Sequence, residues 1–242
     1  MDFTEVWGSA SITANQADVS SDVLRRVRES LATGKPVEQH SILLGEGWQA
    51  DGSPLRMHGG PLSGESSIAR RQLFELGDAC RDSGSDVLAL FVASYAWGTG
   101  RTGYGAYRCA KILEGNAGAV EERLAEGLRR ASQEGTLAAY YFFNNRSEGR
   151  IFGYGPAFFT KFLYFGMRGG TRRSGPKPLI LDKVLATAIR ELSLGKLKLP
   201  NFNFTTTQYA TYLSYLRRIS KDVDVSPEEL EYGAFGAFGG TK

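Results

Sequence analysis

Two side chains in the third quarter of this chain have the chemistry to work on a carbon centre. Lys161 carries an amine that can act as a nucleophile, and Asp182 a carboxylate that can meet developing positive charge. Gly153 and Gly155 lie just upstream, where the missing side chains let backbone amides approach a phosphate closely. Between lysine and aspartate runs a loop bearing Arg168, Arg172, Arg173 and Lys177. The stretch 152–188 reads FGYGPAFFTKFLYFGMRGGTRRSGPKPLILDKVLATA. A nucleophile, a carboxylate and a phosphate-binding frame together point to chemistry on a nucleic acid.

Charge supports that reading through its distribution. The 242 residues hold 29 lysines and arginines against 26 aspartates and glutamates, a net +3. From 150 to 221, however, 13 basic residues face only two acids, Asp182 and Glu191, so this segment carries +11 and the remainder −8. A solvated face mixes signs, whereas a one-sided excess is the footprint of a polyanion.

Other chemistries are disfavoured. Cys80 and Cys109 are too few for a four-thiolate zinc or iron–sulfur centre and read as reduced, buried thiols. His40 and His58 lack HxxxH or HxH spacing. Neither a metal nor a cofactor is expected. No apolar run approaches the roughly 20 residues of a membrane helix, and the opening MDFTEVWGSA has two acids and no base, unlike a targeting peptide. The expectation is a cytoplasmic monomer without membrane contact.

The elements that must position these residues are helical. Pro156 favours a helix's first turn, and the helix it opens runs to Gly166 with Phe158, Phe159, Phe162, Leu163 and Phe165 around most of its circumference. Lys161 is its single charge, either a functional amine or a lysine at the core's rim that snorkels outward. Asp182 sits at or near the N-cap of a second helix, followed by Lys183, with Val184, Leu185, Ala188, Ile189 and Leu192 facing inward.

Upstream, residues 1–20 read as an irregular lead-in, 22–32 as a helix, and 35–67 as a long loop with a short extended piece at 41–44. Helical patterning resumes at Ser67, and 85–97 is apolar enough for a buried strand or a buried helix, with its length and the capping Ser85 and Asp86 favouring the helix. Gly98, Gly100 and Gly103 then spell GxGxxG. That is either a weak dinucleotide-binding match in a chain without alternating strands, or a turn between helices from which Trp97, Arg101 and Tyr104 project. Val120 to Phe143 forms one broken helix or two. Helices also start at Thr205–Thr207 and Ser226-Pro227, before a glycine-aromatic tail of unassigned order. The expected organisation is 1–84 as N-terminal helices and loop belonging to one compact fold with 85–242. The latter holds a hairpin at about 140–166 and the aspartate helix at about 182–193.

The order Gly153-Tyr154-Gly155-Pro156, basic loop, Leu179-Ile180-Leu181-Asp182 resembles the helix-hairpin-helix DNA glycosylases, closest to their 8-oxoguanine glycosylase-like branch. GPAFFTKFLYF followed by LILDKVLA carries the likeness, and LALFVASYAWGTGRTG is similar to the segment from which that superfamily wedges into DNA. The resemblance implies an all-α fold, two helical lobes around a DNA-binding cleft, acting on double-stranded DNA with a modified base. In this scheme Gly153, Gly155, Arg168, Arg172, Arg173, Lys177 and Lys183 grip the backbone. Trp97, Arg101 and Tyr104 form the wedge or pocket for a flipped nucleotide, and Asp182 is the essential carboxylate.

Elementary chemistry agrees. Cleaving an N-glycosidic bond builds oxocarbenium character on the sugar, which a carboxylate stabilises, and reaching it in a duplex requires base flipping. The sequence departs from the family where relatives with lyase activity place a lysine directly after the hairpin glycines. Ala157 stands there, and Lys161 follows one helical turn later on the same face. Whether Lys161 forms an imine is therefore left open.

So is the excised base, either an oxidised purine or a hypermodified cytosine such as the glucosylated hydroxymethylcytosine of phage DNA, which would make this a defence rather than a repair enzyme. A non-catalytic DNA-binding module with the same hairpin, in which Asp182 only caps its helix, is the alternative from another class.

Overall fold

Short polar residues fix where several helices begin. Asp2 accepts from the amides of Thr4 and Glu5, Ser20 from Val23, Asp182 from Val184 and Leu185, and Thr205 from Gln208, each satisfying amides that have no partner inside the helix. The computed structural model describes residues 1–84, 86–116, 118–144, 148–168 and 175–239. In chain order the elements are α1 (Phe3–Gln16), α2 (Ser21–Thr33), β1 (Ser41–Leu43), α3 (Glu46–Gln49), α4 (Pro54–His58), β2 (Ser67–Ala69), α5 (Arg70–Ser83), α6 (Val87–Thr99) and α7 (Gly105–Gly115). They continue with α8 (Val120–Gln133), α9 (Thr136–Asn144), α10 (Pro156–Gly166), α11 (Lys183–Leu192), α12 (Thr206–Asp222) and α13 (Pro227–Gly239).

The fold is all-α. Its sheet, among the described residues, is one antiparallel pair with Ile42 opposite Ile68. No described helix is long and apolar enough to cross a membrane. The apolar run after Gly84 is helix α6, and GxGxxG is the turn between α6 and α7. That placement removes the strand-to-helix context a dinucleotide fingerprint requires.

Contacts divide the chain into two units, Met1–Val37 with Leu179–Lys242, and Glu38–Pro178. The first is discontinuous and joins the two ends of the sequence. Here the irregular lead-in expected for residues 1–20 is corrected: it forms α1, packed on α12. The buried stripe of α1 is Ala10 and Ala14, too weakly apolar to show as a period, and Ser11 Oγ accepts from Ser214 Oγ at 3.0 Å. Arg218 holds its end, donating to the carbonyls of Asn15 (3.1 Å) and Ala17 (2.7 Å). The glycine-aromatic tail is ordered as α13 through Gly239, against α2. A Cβ on Gly233 would lie 2.6 Å from Leu31 Cγ, so the glycine is what permits that approach.

The second unit is built around α6 and α10, with α5, α8 and α9 packed on them. α6 is buried along Val87 and Ala89–Trp97. The expected long loop at 35–67 is largely structured. Trp48, 1% exposed, pins it by donating from Nε1 to Thr99 Oγ1 at 3.2 Å, and Ser53 Oγ donates to the Trp48 carbonyl at 2.8 Å. The helix expected from Ser67 starts at Arg70, because 67–69 pair with β1.

Candidate functional site

In the first unit, Asp182 is the N-cap of α11 in extended backbone conformation (φ −130°, ψ −174°). Its Oδ1 accepts from the amides of Val184 (3.0 Å) and Leu185 (3.1 Å). The side chain is half-buried, and Lys183 beside it is exposed. What fixes this carboxylate is the segment before it.

Leu179, Ile180 and Leu181 are buried, outside any helix and without a neighbouring strand among the described residues, so their backbone groups need other partners. Side chains supply them. Tyr209 OH accepts from the Leu179 amide (3.2 Å) and donates to the same residue's carbonyl (2.8 Å). Tyr212 OH donates to the Ile180 carbonyl (2.5 Å), and Glu231 Oε2 accepts from the Ile180 amide (3.2 Å). Burial holds the Tyr209 phenol well above its ordinary range, so it stays a donor. The helix that carries Tyr209 and Tyr212 was legible from its start at Thr205–Thr207, but the partners of their hydroxyls were not. Glu231, the one acid in the buried run Leu230–Ala234, was a usable signal that sequence reasoning missed.

In the second unit, Lys161 lies on α10 and is 6% exposed. Helical side chains lean toward the N-terminus, and Nζ reaches back one turn to donate to the Ala157 carbonyl at 2.9 Å. The amine thus stands at the level of Ala157, two residues after Gly155. Its walls are Phe158, stacked on Tyr95 at 4.0 Å, and Gly98 of α6. A Cβ at Gly98 would be 2.9 Å from Lys161 Cδ and 3.2 Å from Cε. Gly98, noted in the sequence only as part of GxGxxG, leaves the space that the Lys161 side chain occupies.

The hairpin turn itself is clamped. Gly153 adopts φ +85°, Gly155 caps α10, and Tyr154 between them is buried against Phe91 at 4.9 Å. Asn116 donates from Nδ2 to the Phe152 carbonyl (3.1 Å) and accepts at Oδ1 from the Phe152 amide (2.8 Å), leaving the Phe152 side chain exposed. Gly153 and Gly155 are solvent-accessible, with their turn amides on a fixed frame.

The remaining candidates separate. Trp97 does not project, which corrects that expectation. It is buried, with its ring 5.3 Å from Phe165, 5.8 Å from His40 and 5.2 Å from the Arg70 guanidinium, because α6 is buried from Ala89 through Trp97. Arg101 and Tyr104 are exposed, Tyr104 at 75%. Arg168 is paired with Glu38 and sits 4.6 Å over the Phe74 ring, while Lys177, exposed, donates to the Arg168 carbonyl at 3.2 Å. Arg172 and Arg173 lie outside the described residues. Asp182 and Lys161 belong to different units. No group of three or more His, Cys, Asp and Glu among the described residues is placed to hold a metal ion.

An apolar lead-in ending in a capping aspartate and a glycine turn opening a helix are present, with Ala157 where the resemblance would place a lysine. The model of the family described as "Putative 8-oxoguanine DNA glycosylase OGG-like protein" matches residues 35–235. The chain belongs to this OGG-like family. No curated protein and no solved structure matches it. The matched range covers all of Glu38–Pro178 and most of Leu179–Lys242, so both Lys161 and Asp182 fall within the family's own extent.

Proposed function

We propose that this OGG-like protein is a DNA glycosylase that flips a modified base out of duplex DNA and cleaves its N-glycosidic bond, leaving an abasic site. The observation that carries the reading is the Asp182 carboxylate. It is held at a helix N-terminus by two amides, and the segment leading to it is locked by Tyr209, Tyr212 and Glu231. A cap alone needs only the two amides. Pre-orientation of a carboxylate is what electrostatic stabilisation of a sugar cation requires, since no reorganisation is then needed during reaction.

In the proposed step the C1′–N bond breaks with its electron pair leaving on the base. Positive charge grows on the sugar and is met by Asp182, and water adds to C1′, its proton passing to solvent or the departing base. The exposed glycine turn at 153–155 and the cations Arg101, Lys177 and Lys183 serve the DNA backbone, with Tyr104 as the aromatic of the α6–α7 turn that fills or lines the vacated position. Lys161 is the candidate amine for a subsequent imine at C1′.

The family description favours an oxidised purine of the 8-oxoguanine type as the excised base. The test is incubation with duplexes carrying 8-oxoguanine and with phage DNA carrying glucosylated hydroxymethylcytosine, with mass spectrometry of the small molecules released. Free 8-oxoguanine supports repair of oxidised purines. Release of the glucosylated cytosine moves the substrate to the defence class, and no released base from either rejects the substrate assignment.

A further inference from the structure

We infer that the loop 193–205, SLGKLKLPNFNFT, which joins α11 to α12 in the first unit, is a nucleic-acid docking element in which Lys196 and Lys198 hold phosphates and Phe202 stacks on an exposed base. The inference deepens the glycosylase reading and rests on it for the identity of the strand as DNA.

The loop is bolted to the unit at several points. Leu197, Leu199 and Phe204 are buried, and the fully buried Ser193 accepts from the Leu197 amide at 3.2 Å. Arg190 of α11 reaches across, donating to the Leu199 carbonyl (2.6 Å) and to Asn201 Oδ1 (3.0 Å), and it is steadied by Thr187 Oγ1 (2.9 Å). This cation of the basic segment is therefore used to shape the loop. Lys196 and Lys198 are not buried with it. Burial alternates exposed, buried, exposed, buried from 196 to 199, so Leu197 and Leu199 anchor the segment, with the Leu199 amide bonded to the Leu197 carbonyl at 3.1 Å, while both lysines stay at the surface.

On this fixed frame Phe202 is 65% exposed, next to Asn203 at φ +57°, and Leu194 at the other end adopts φ +50°. A non-glycine left-handed residue is disfavoured by crowding of its Cβ, most of all for leucine, and such conformations persist where the surroundings over-determine them. Single exposed aromatics are ordinary on protein surfaces. This one is held out by a rigid loop beside two lysines, in a segment of net positive charge with Glu191 as its nearest acid in sequence. A strand of nucleic acid supplies both complements, phosphates for the lysines and a π-face for the phenyl ring.

The experiment uses a duplex containing a tetrahydrofuran abasic analogue flanked by 2-aminopurine, which requires no catalysis. Wild-type protein is expected to quench the 2-aminopurine emission on binding. Phe202→Ala loses the quench and binds at least five-fold more weakly, Phe202→Trp restores both, and Phe202→Leu restores neither. Lys196→Gln/Lys198→Gln keeps the quench at saturation and lowers the slope of log affinity against log salt by about two.

Phe202 is exposed, so all Phe202 variants should melt with the wild type. Unchanged quench and affinity in Phe202→Ala, full rescue by leucine, an unchanged salt slope, or a self-association abolished by Phe202→Ala without effect on DNA would each overturn the inference. Absence of base release by the wild type with these binding results intact would reject the glycosylase reading alone.

Discussion

Asn116 holds Phe152 by both of that residue's backbone groups, Nδ2 to the carbonyl at 3.1 Å and Oδ1 from the amide at 2.8 Å. The carboxamide takes the place of a neighbouring strand, and its Nδ2 also donates to the Ile112 carbonyl at 2.8 Å, tying the hairpin turn to the end of α7. Asn116→Ala removes these bonds and leaves the Phe152 groups to water. With each net hydrogen bond worth ~1 kcal/mol, the expected loss is about 1–2 kcal/mol in chemical denaturation. Affinity for undamaged duplex DNA should fall with it, because the turn amides at 153–155 lose their frame. Weakened denaturation with unchanged DNA affinity would remove the hairpin from the DNA-binding surface.

Gly98 and Lys161 form the second dependency. A methyl at position 98 would lie 2.9 Å from Lys161 Cδ, so the lysine must shift from its place beneath Phe158. If Lys161 attacks C1′ of an abasic sugar, sodium borohydride should trap a covalent protein–DNA adduct with wild type. The adduct should be absent in Lys161→Ala and reduced several-fold in Gly98→Ala. No adduct with wild type means that the enzyme is purely hydrolytic and that Lys161 is a structural residue of α10.

Glu126 sets part of the acid response. Hydrogen bonds from Arg129 foremost, and from Arg130, lower its pKa from 4.5 to about 2. A carboxylate depressed in the folded state contributes stability that is present above its unfolded pKa and is lost as pH falls through the folded value, here from about pH 5 toward pH 2. Its arginine partners are partly exposed, which limits the contribution to under ~1 kcal/mol. Denaturant titrations at pH 6 and pH 3 should show wild type losing more stability between the two than Glu126→Gln. Equal losses would mean that the ion pair is as well formed in the unfolded chain.

The helices that bear Lys161 and Asp182 were legible because their signals are local. Pro156 and the aromatic run defined α10 from Pro156 to Gly166, and Asp182 could be read as a cap from the apolar residues on either side. α1 escaped because its inward face is alanine and serine, and the start of α13 at Pro227 was legible but its extent to Gly239 was not, because its glycines look like a flexible tail until Val27, Ser30 and Leu31 of α2 occupy the space they leave.

The joining of 1–37 to 179–242 is a pairing of sequence ends that no window of the chain contains. The lock on Leu179–Leu181 belongs to the same class. Tyr209, Tyr212 and Glu231 are 30 to 51 residues away, and their polar atoms matter only once the segment has no strand beside it. Trp97 looked like a projecting residue because it adjoins a glycine turn, and burial on α6 decided otherwise.

Asp182 is a helix cap and the proposed catalytic carboxylate, and one substitution separates the two roles. Asparagine caps helices about as well as aspartate, so Asp182→Asn should keep the amides of Val184 and Leu185 satisfied and leave folding and duplex binding at wild-type levels. It removes the negative charge that the proposed mechanism sets against the sugar cation. The decisive measurement is single-turnover formation of abasic sites on a duplex whose modified base the wild type releases. A fall of about 100-fold or more in Asp182→Asn, with binding retained, is the predicted result. An abasic-site yield and rate equal to wild type would contradict the assignment and leave Asp182 as a helix cap only.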